Sequence, residues 1–206
     1  MKIYEFEGFP NPARIRLALA EKNMLDQVEF VSVDVPGGEH KTADYLAKNP
    51  SGTVPALELE DGTVISECTA ITEYIDNASG EAELTGRTPK ERAVVHMMQR
   101  RAEAGLLDAV AAYFHHATPG LGPDIEGEQC KEWGELQKTK AQEGMHYFDK
   151  VLSGQSYIAG DNFSMADITA FAGLAFADFA KIAIPEACSN LKAWRERLMQ
   201  RPAFAG

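Results

Sequence analysis

The sequence predicts an α/β layer of order βαβαββα followed by an all-α region. Three observations carry this. Up to about residue 77, short β-branched runs alternate with helix-forming runs. The pair Asp61-Gly62 separates "ALELE" from "TVIS", a hairpin signal. After the turn-rich stretch "ASGEAELTGRTP" (78–89), no strand pattern returns.

Taken in order, "KIYEF" reads as a strand, and Pro10 and Pro12 break the chain after it. "ARIRLALAEKN" (13–23) is a helix of good formers with Ile15, Leu17, Ala18 and Leu19 on its apolar side. "VEFVSVDV" (28–35) is a β-branched strand closed by Pro36-Gly37-Gly38. "TADYLAKN" (42–49) is a short helix, and "ECTAITEYIDN" (67–77) follows the hairpin as a third. Pro89 opens a long helix to about Thr118, ended by Pro119-Gly120. A second long helix is expected over 124–152. "SMADITAFAGLAFADFA" (164–180) opens with Ser164 three residues before Asp167, a capping-box variant ahead of an apolar and therefore central helix. "SNLKAWRERLMQR" (189–201) is amphipathic. The expected division is 1–79, a linker at 80–87, and 88–206.

With 20 basic against 31 acidic residues the net charge is −11, which argues against nucleic acid or an anionic membrane as partner. Three dispersed cysteines, Cys68, Cys130 and Cys188, fit a reducing compartment and offer no CxxC pair and no metal site. No stretch has signal-peptide or transmembrane character, so a soluble cytoplasmic protein is expected.

The stretch "SGTVPALELEDGTVISECTA" (51–70) sets Pro55 ahead of a strand and crowds Ser66-Glu67-Cys68-Thr69 at a helix start. A helix N-terminus attracts a carboxylate through free N–H groups and its dipole, and an acid there attracts an ammonium. The plainer alternative is Ser66 as N-cap with Glu67 complementing the dipole. His40 and Lys41, read alone, are equally consistent with solvated loop charges.

The succession "NPSGTVPAL", "SECTAITEYI" and "FSMADITAFA", in this order over nearly the whole chain, resembles the cytosolic glutathione transferases. "ARIRLALAEKNML", "GEHK" and "YFHHATPGLGP" look most like a yeast-type subgroup that also occurs in bacteria. The resemblance implies a thioredoxin-like first domain, an all-helical second domain, a homodimer, and glutathione as co-substrate with a small apolar electrophile. It implies that Val54, before a cis Pro55, pairs like a strand with glutathione. It also implies that Lys41, assisted by His40, takes the glycyl carboxylate. Glu67 takes the γ-glutamyl ammonium, and the backbone around Cys68 and Thr69 its carboxylate.

Thiolate formation near neutral pH needs roughly 2.7 kcal/mol of stabilisation relative to an ordinary thiol. The family supplies it with a Tyr closing the first strand or a Ser or Cys just after; here those positions hold Glu5 and Phe9. Neither donates to sulfur, and an ionised Glu5 would oppose the thiolate. Tyr4 faces the other side of the strand, and Asn11 has a turn role between two prolines. At 100° per residue Met97, Arg101, Ala104, Asp108, Ala111 and His115 share one line, opposite a core stripe of Val95, Ala102, Leu106, Val110 and Tyr113. The resemblance implies that His115 activates the thiol through a water, helped by a serine that is Ala111 here. A solvated His115 balancing the helix dipole is the alternative. An amide near residues 10–12 is a further source of thiolate stabilisation. Phe9, Tyr113 and Phe114 are candidates for the electrophile site.

The expected function is therefore glutathione conjugation to small apolar electrophiles. Alternatives are a glutathione-binding protein of low turnover, peroxidase-like or carrier, and a non-catalytic structural module. A disulfide reductase is disfavoured, since no cysteine starts the first helix.

Overall fold

Ile3 and Tyr4 point to opposite sides of the first strand and define the two faces of the sheet in the N-terminal half. The structure, a computed structural model, describes residues 1–78 and 80–204. Ser79, the predicted end of the first segment, and Ala205-Gly206 lie outside the described residues. Two units follow one another, Met1–Leu84 and Thr85–Gly206.

In the first unit β1 (Lys2–Glu5), β2 (Glu29–Ser32), β3 (Ala56–Glu58) and β4 (Val64–Ser66) form one sheet of order β2-β1-β3-β4. β1 runs parallel to β2 and antiparallel to β3, and β4 closes the hairpin with Ala56 opposite Ser66. Helices α1 (Pro10–Glu21), α2 (Ala43–Lys48) and α3 (Cys68–Ala78) complete it, with 3₁₀ turns at Leu25–Gln27 and Glu39–Lys41. Ile3 and Leu57 pack with Ile15 and Leu19 of α1 and with Ile71 and Ile75 of α3. Tyr4, on the other face, meets Tyr45 of α2 edge-on at 6.3 Å and donates to Glu58 Oε2 at 2.6 Å. Pro10 and Pro12 do not break the chain. Pro10 is the first helical residue of α1, where a missing N–H costs nothing and the fixed φ suits the helix.

In the second unit α4 (Pro89–Ala102) starts from a Thr88–Glu91 capping box. It continues through a π-helical segment, Glu103–Leu107, into α5 (Asp108–Ala117). α6 (Lys131–Leu152), α7 (Met165–Phe179) and α8 (Ser189–Leu198) follow. A π turn takes about one extra residue, which rotates everything after it by roughly 100°. The predicted single line from Met97 to His115 is therefore interrupted: Asp108, Ala111 and His115 do not continue the direction of Met97 and Arg101. Val95, Ala102, Leu106 and Val110 are buried, while Tyr113 is half-buried. The expected helix over 124–152 begins only at Lys131. The residues before it serve α5 instead: the Gln129 amide donates to the Thr118 carbonyl at 2.9 Å and to that of His115. The Cys130 N–H donates to His116 Nδ1 at 3.2 Å. These contacts satisfy groups that a helix end leaves open.

α7 is the central helix of its unit. Asp167 is buried in its first turn and accepts the N–H and hydroxyl of Ser164, the Ile158 N–H and the Trp194 indole N–H.

Candidate active site

Asn49 and Tyr45 organise the loop ahead of β3. The buried Asn49 side chain and the Tyr45 hydroxyl both donate to the Thr53 carbonyl, at 2.8 and 2.7 Å. Lys41 Nζ reaches the Gly52 carbonyl at 2.8 Å. Gly52 has φ +57, and a Cβ there would come within 3.0 Å of the His40 carbonyl and Lys41 Nζ. His40 is itself buried, and its Nδ1 has no hydrogen-bond partner among the described residues. Burial, then the adjacent Lys41 charge, hold its imidazole below the usual range, so it is neutral near pH 7.

The Val54–Pro55 bond is cis. Val54 lies just outside β3, and among the described residues no hydrogen bond uses its N–H or C=O. Those two groups face no strand partner and are free to pair with an extended peptide. Because Ala56 pairs with Ser66, the start of α3 lies across the hairpin from Pro55. Glu67 is exposed there with φ +70, and its carbonyl accepts the Ile71 N–H at 3.0 Å. Ser66 ends β4, so the residue at the cap position is Glu67, not the Ser66 of the plainer alternative. Lys41, Val54, Pro55 and Glu67 are thus brought together at one end of the sheet, with an ammonium and a carboxylate flanking an unpaired backbone edge.

The Cys68 thiol is buried and directed at the Asn11 carbonyl oxygen, 3.5 Å away, which joins the first turns of α3 and α1. Pro10 and Pro12 carry no N–H, so Asn11 provides the free amide of that first turn of α1. Its side chain accepts from Arg14 at 2.9 Å. Glu5 does not project a bare charge, as the sequence suggested. It is buried and held by Arg16, whose Nε lies 3.0 Å from Oε1 and whose guanidinium covers Phe30 at 3.9 Å. Phe9, at the N-cap of α1, packs on Phe6 at 4.6 Å.

In the second unit His115 lies near the C-terminal end of α5, with Nδ1 2.7 Å from Glu126 Oε1. Its ring meets Phe114 edge-on, and Phe114 contacts Phe176 and Phe179 of α7 at 5.4 and 5.7 Å. Phe179 is 68% exposed, so this aromatic cluster opens onto the surface. Tyr113 packs against the helical core with Lys138 Nζ 5.0 Å from its ring centre. Ala111, one turn before His115, offers no hydrogen bond to the imidazole. Among the described residues no group of three or more His, Cys, Asp or Glu is placed to hold a metal ion.

Family models of the glutathione S-transferase N-terminal and C-terminal domains match residues 10–78 and 106–202. The chain belongs to the glutathione S-transferase family. Glutathione S-transferase 2 of Saccharomyces cerevisiae is 60% identical over 203 residues, 98% of this chain and 87% of that protein. The crystal structure of Gtt2 from the same yeast matches with a TM-score of 0.98 at 60% identity, covering 100% of this chain and 99% of that one. A glutathione S-transferase domain-containing protein of Marinobacter aquaeolei matches with a TM-score of 0.98 at 59% identity, over 99% and 100% of the two chains. The likeness to a yeast-type subgroup found also in bacteria, and the thioredoxin-like fold of the first domain, hold.

Two features of this glutathione S-transferase family member are not marked in its sequence. Glu126, the partner of His115, is eleven residues away across an irregular segment and has no local pattern to signal it. Phe176 and Phe179 belong to a helix so apolar that nothing distinguishes surface positions from core ones.

Proposed function

We propose that the protein is a glutathione transferase that joins the glutathione thiolate to small apolar electrophiles, with residues 1–79 binding glutathione and 88–206 the electrophile. One observation supports the reading: Lys41 is anchored at the Gly52 carbonyl two residues before Val54, whose backbone has no strand partner, and Glu67 follows β4 across the hairpin from Pro55. The glycyl carboxylate is assigned to Lys41 with His40 beside it, the cysteinyl backbone to Val54 before Pro55, and the γ-glutamyl ammonium to Glu67. The backbone near Cys68 and Thr69 takes the remaining carboxylate. The Cys68 thiol serves the link between α1 and α3.

Thiol activation is assigned to His115, directly or through a water. The thiol proton goes to the imidazole, the thiolate attacks the electrophilic carbon, and the leaving group departs with the bonding pair. The Asn11 amide at the start of α1 adds stabilisation of the thiolate. Phe114, with Phe176 and Phe179, forms an aromatic platform that suits a planar electrophile, and Phe9 and Tyr113 are further lining candidates. A low-turnover carrier or a non-catalytic module is not favoured, because the kinship to a protein named as a transferase spans nearly the whole chain. A homodimer fits the surface near Met97 and Tyr147, which are 44% and 39% exposed. Among the described residues no helix is long and apolar enough to cross a membrane. A cytoplasmic, detoxifying role without nucleic acid, membrane or metal is consistent with the acidic charge and the dispersed cysteines.

The test is a steady-state assay with glutathione and a chromogenic aryl halide, run beside calorimetric titration of glutathione. Saturable binding with turnover supports the assignment; binding without turnover sinks the transferase reading, and absence of binding sinks the site.

A further inference from the structure

Glu126 is built into the turn that follows α5. Its Oε1 accepts the Leu121 N–H at 2.7 Å as well as facing His115 Nδ1 at 2.7 Å. Gly120 has φ +57, and a Cβ there would lie 2.0 Å from the same oxygen, so the turn closes directly onto the carboxylate. Glu126 is largely buried, whereas the His115 side chain is 40% exposed. An ionised carboxylate only accepts hydrogen bonds. Facing such a carboxylate, Nδ1 is the nitrogen suited to carry the proton, which leaves the lone pair of a neutral His115 on Nε2.

We propose that Glu126 is a positioning residue for His115: it fixes the Nδ1–H tautomer and ring orientation and leaves Nε2 to receive the thiol proton. The inference rests on the assignment of His115 as the base. It supplies what Ala111 lacks, an anchor for the ring. When Nε2 takes the proton, Nδ1–H stays on Glu126, and the carboxylate faces the imidazolium that forms. Charged or titratable groups on α5, α6 and α7 have partners of their own. His116 on α5 accepts the Cys130 N–H, and Asp108 faces Arg100 at 3.4 Å. Lys138 of α6 lies over Tyr113, and Asp178 of α7 pairs with Arg195.

The test compares the parent protein with His115→Ala, Glu126→Gln and the double variant, using glutathione and an aryl halide from about pH 5.5 to 9. The Glu126→Gln change keeps an oxygen to accept both N–H groups and removes only the charge. Expected for Glu126→Gln is a kcat about tenfold lower at unchanged KM for glutathione. The acidic limb of the kcat/KM profile should move to lower pH, because the imidazolium loses its counter-charge. In the His115→Ala background the same change should do nothing further. A slow His115→Ala beside a Glu126→Gln equal to the parent in rate and profile overturns the positioning role alone. Normal turnover of His115→Ala overturns the base assignment, and this inference with it.

Discussion

Lys22 Nζ lies 3.0 Å from Asp76 Oδ1, with both side chains almost completely withdrawn from solvent. Lys22 also donates to the Glu81 carbonyl, and both Asp76 oxygens accept the Glu83 N–H at 3.0 Å. The ends of α1 and α3 and the segment after α3 are thereby tied at one point. Removing one member leaves an uncompensated buried charge, which costs about 3–5 kcal/mol. Asp76→Ala should lower the unfolding free energy by that amount in denaturant titrations, and Asp76→Asn by less, since Asn still accepts the Glu83 amide. Equal stability of Asp76→Ala and the parent would show that the pair is not buried as described.

Gly144 on α6 passes so close to the π-helical segment that a Cβ would lie 2.2 Å from the Gly105 carbonyl oxygen. Both neighbours are backbone, so the clash is relieved only by moving a helix. Gly144→Ala should cost at least ~1–3 kcal/mol, read as a lower melting temperature. Gly154→Ala, with open space around the added methyl, should stay within about 0.5 kcal/mol of the parent.

These two contacts mark where the sequence stops being readable. What local chemistry decides was legible. At Asp61-Gly62 the Thr63 N–H returns to Asp61 Oδ1 and Gly62 takes φ +84, and Ser164 and Asp167 meet at the start of α7. Lys41, Val54, Pro55 and Glu67 stand on such punctuated segments: Lys41 meets the Gly52 carbonyl, and Ser66, just before Glu67, pairs with Ala56, just after Pro55. The π segment was not legible: it lies where Gly105 meets Gly144 of α6, a contact between residues distant in the chain. Residues 124–130 have helical composition, yet Glu126, Gln129 and Cys130 bond to the end of α5 instead. Glu5 reads as an electrostatic obstacle in the sequence, but Arg16, eleven residues on, pairs with it.

Asp167 connects stability to pH. Burial pushes its carboxyl up to about 6 from the ordinary 3.8, outweighing the donors that favour the anion. The folded state then holds a proton that the unfolded state has released. This group's contribution is fully present below pH ~4 and is lost as pH rises through about 6. A rise of about two units corresponds to ~3 kcal/mol. Relative to the parent, Asp167→Asn should lose more stability at pH 5 than at pH 7.5, in urea titrations at both values. A difference that grows with pH would reverse the assignment.

Glu67 separates stability from binding. Its φ of +70 lies in the left-handed region, which costs a non-glycine residue about 1–2 kcal/mol. Its carboxylate is exposed and makes no hydrogen bond or ion pair among the described residues, so no side-chain contact offsets that cost. A structural role predicts that Glu67→Gly only weakens the protein. A binding role predicts that Glu67→Gly unfolds at a higher denaturant concentration, by up to ~1 kcal/mol, while glutathione affinity falls by about 1–3 kcal/mol. Glu67→Ala keeps the strain and should lose the affinity without the stability gain. Calorimetric titration beside denaturant melts of the two variants decides it: unchanged glutathione affinity in both removes Glu67 from the site.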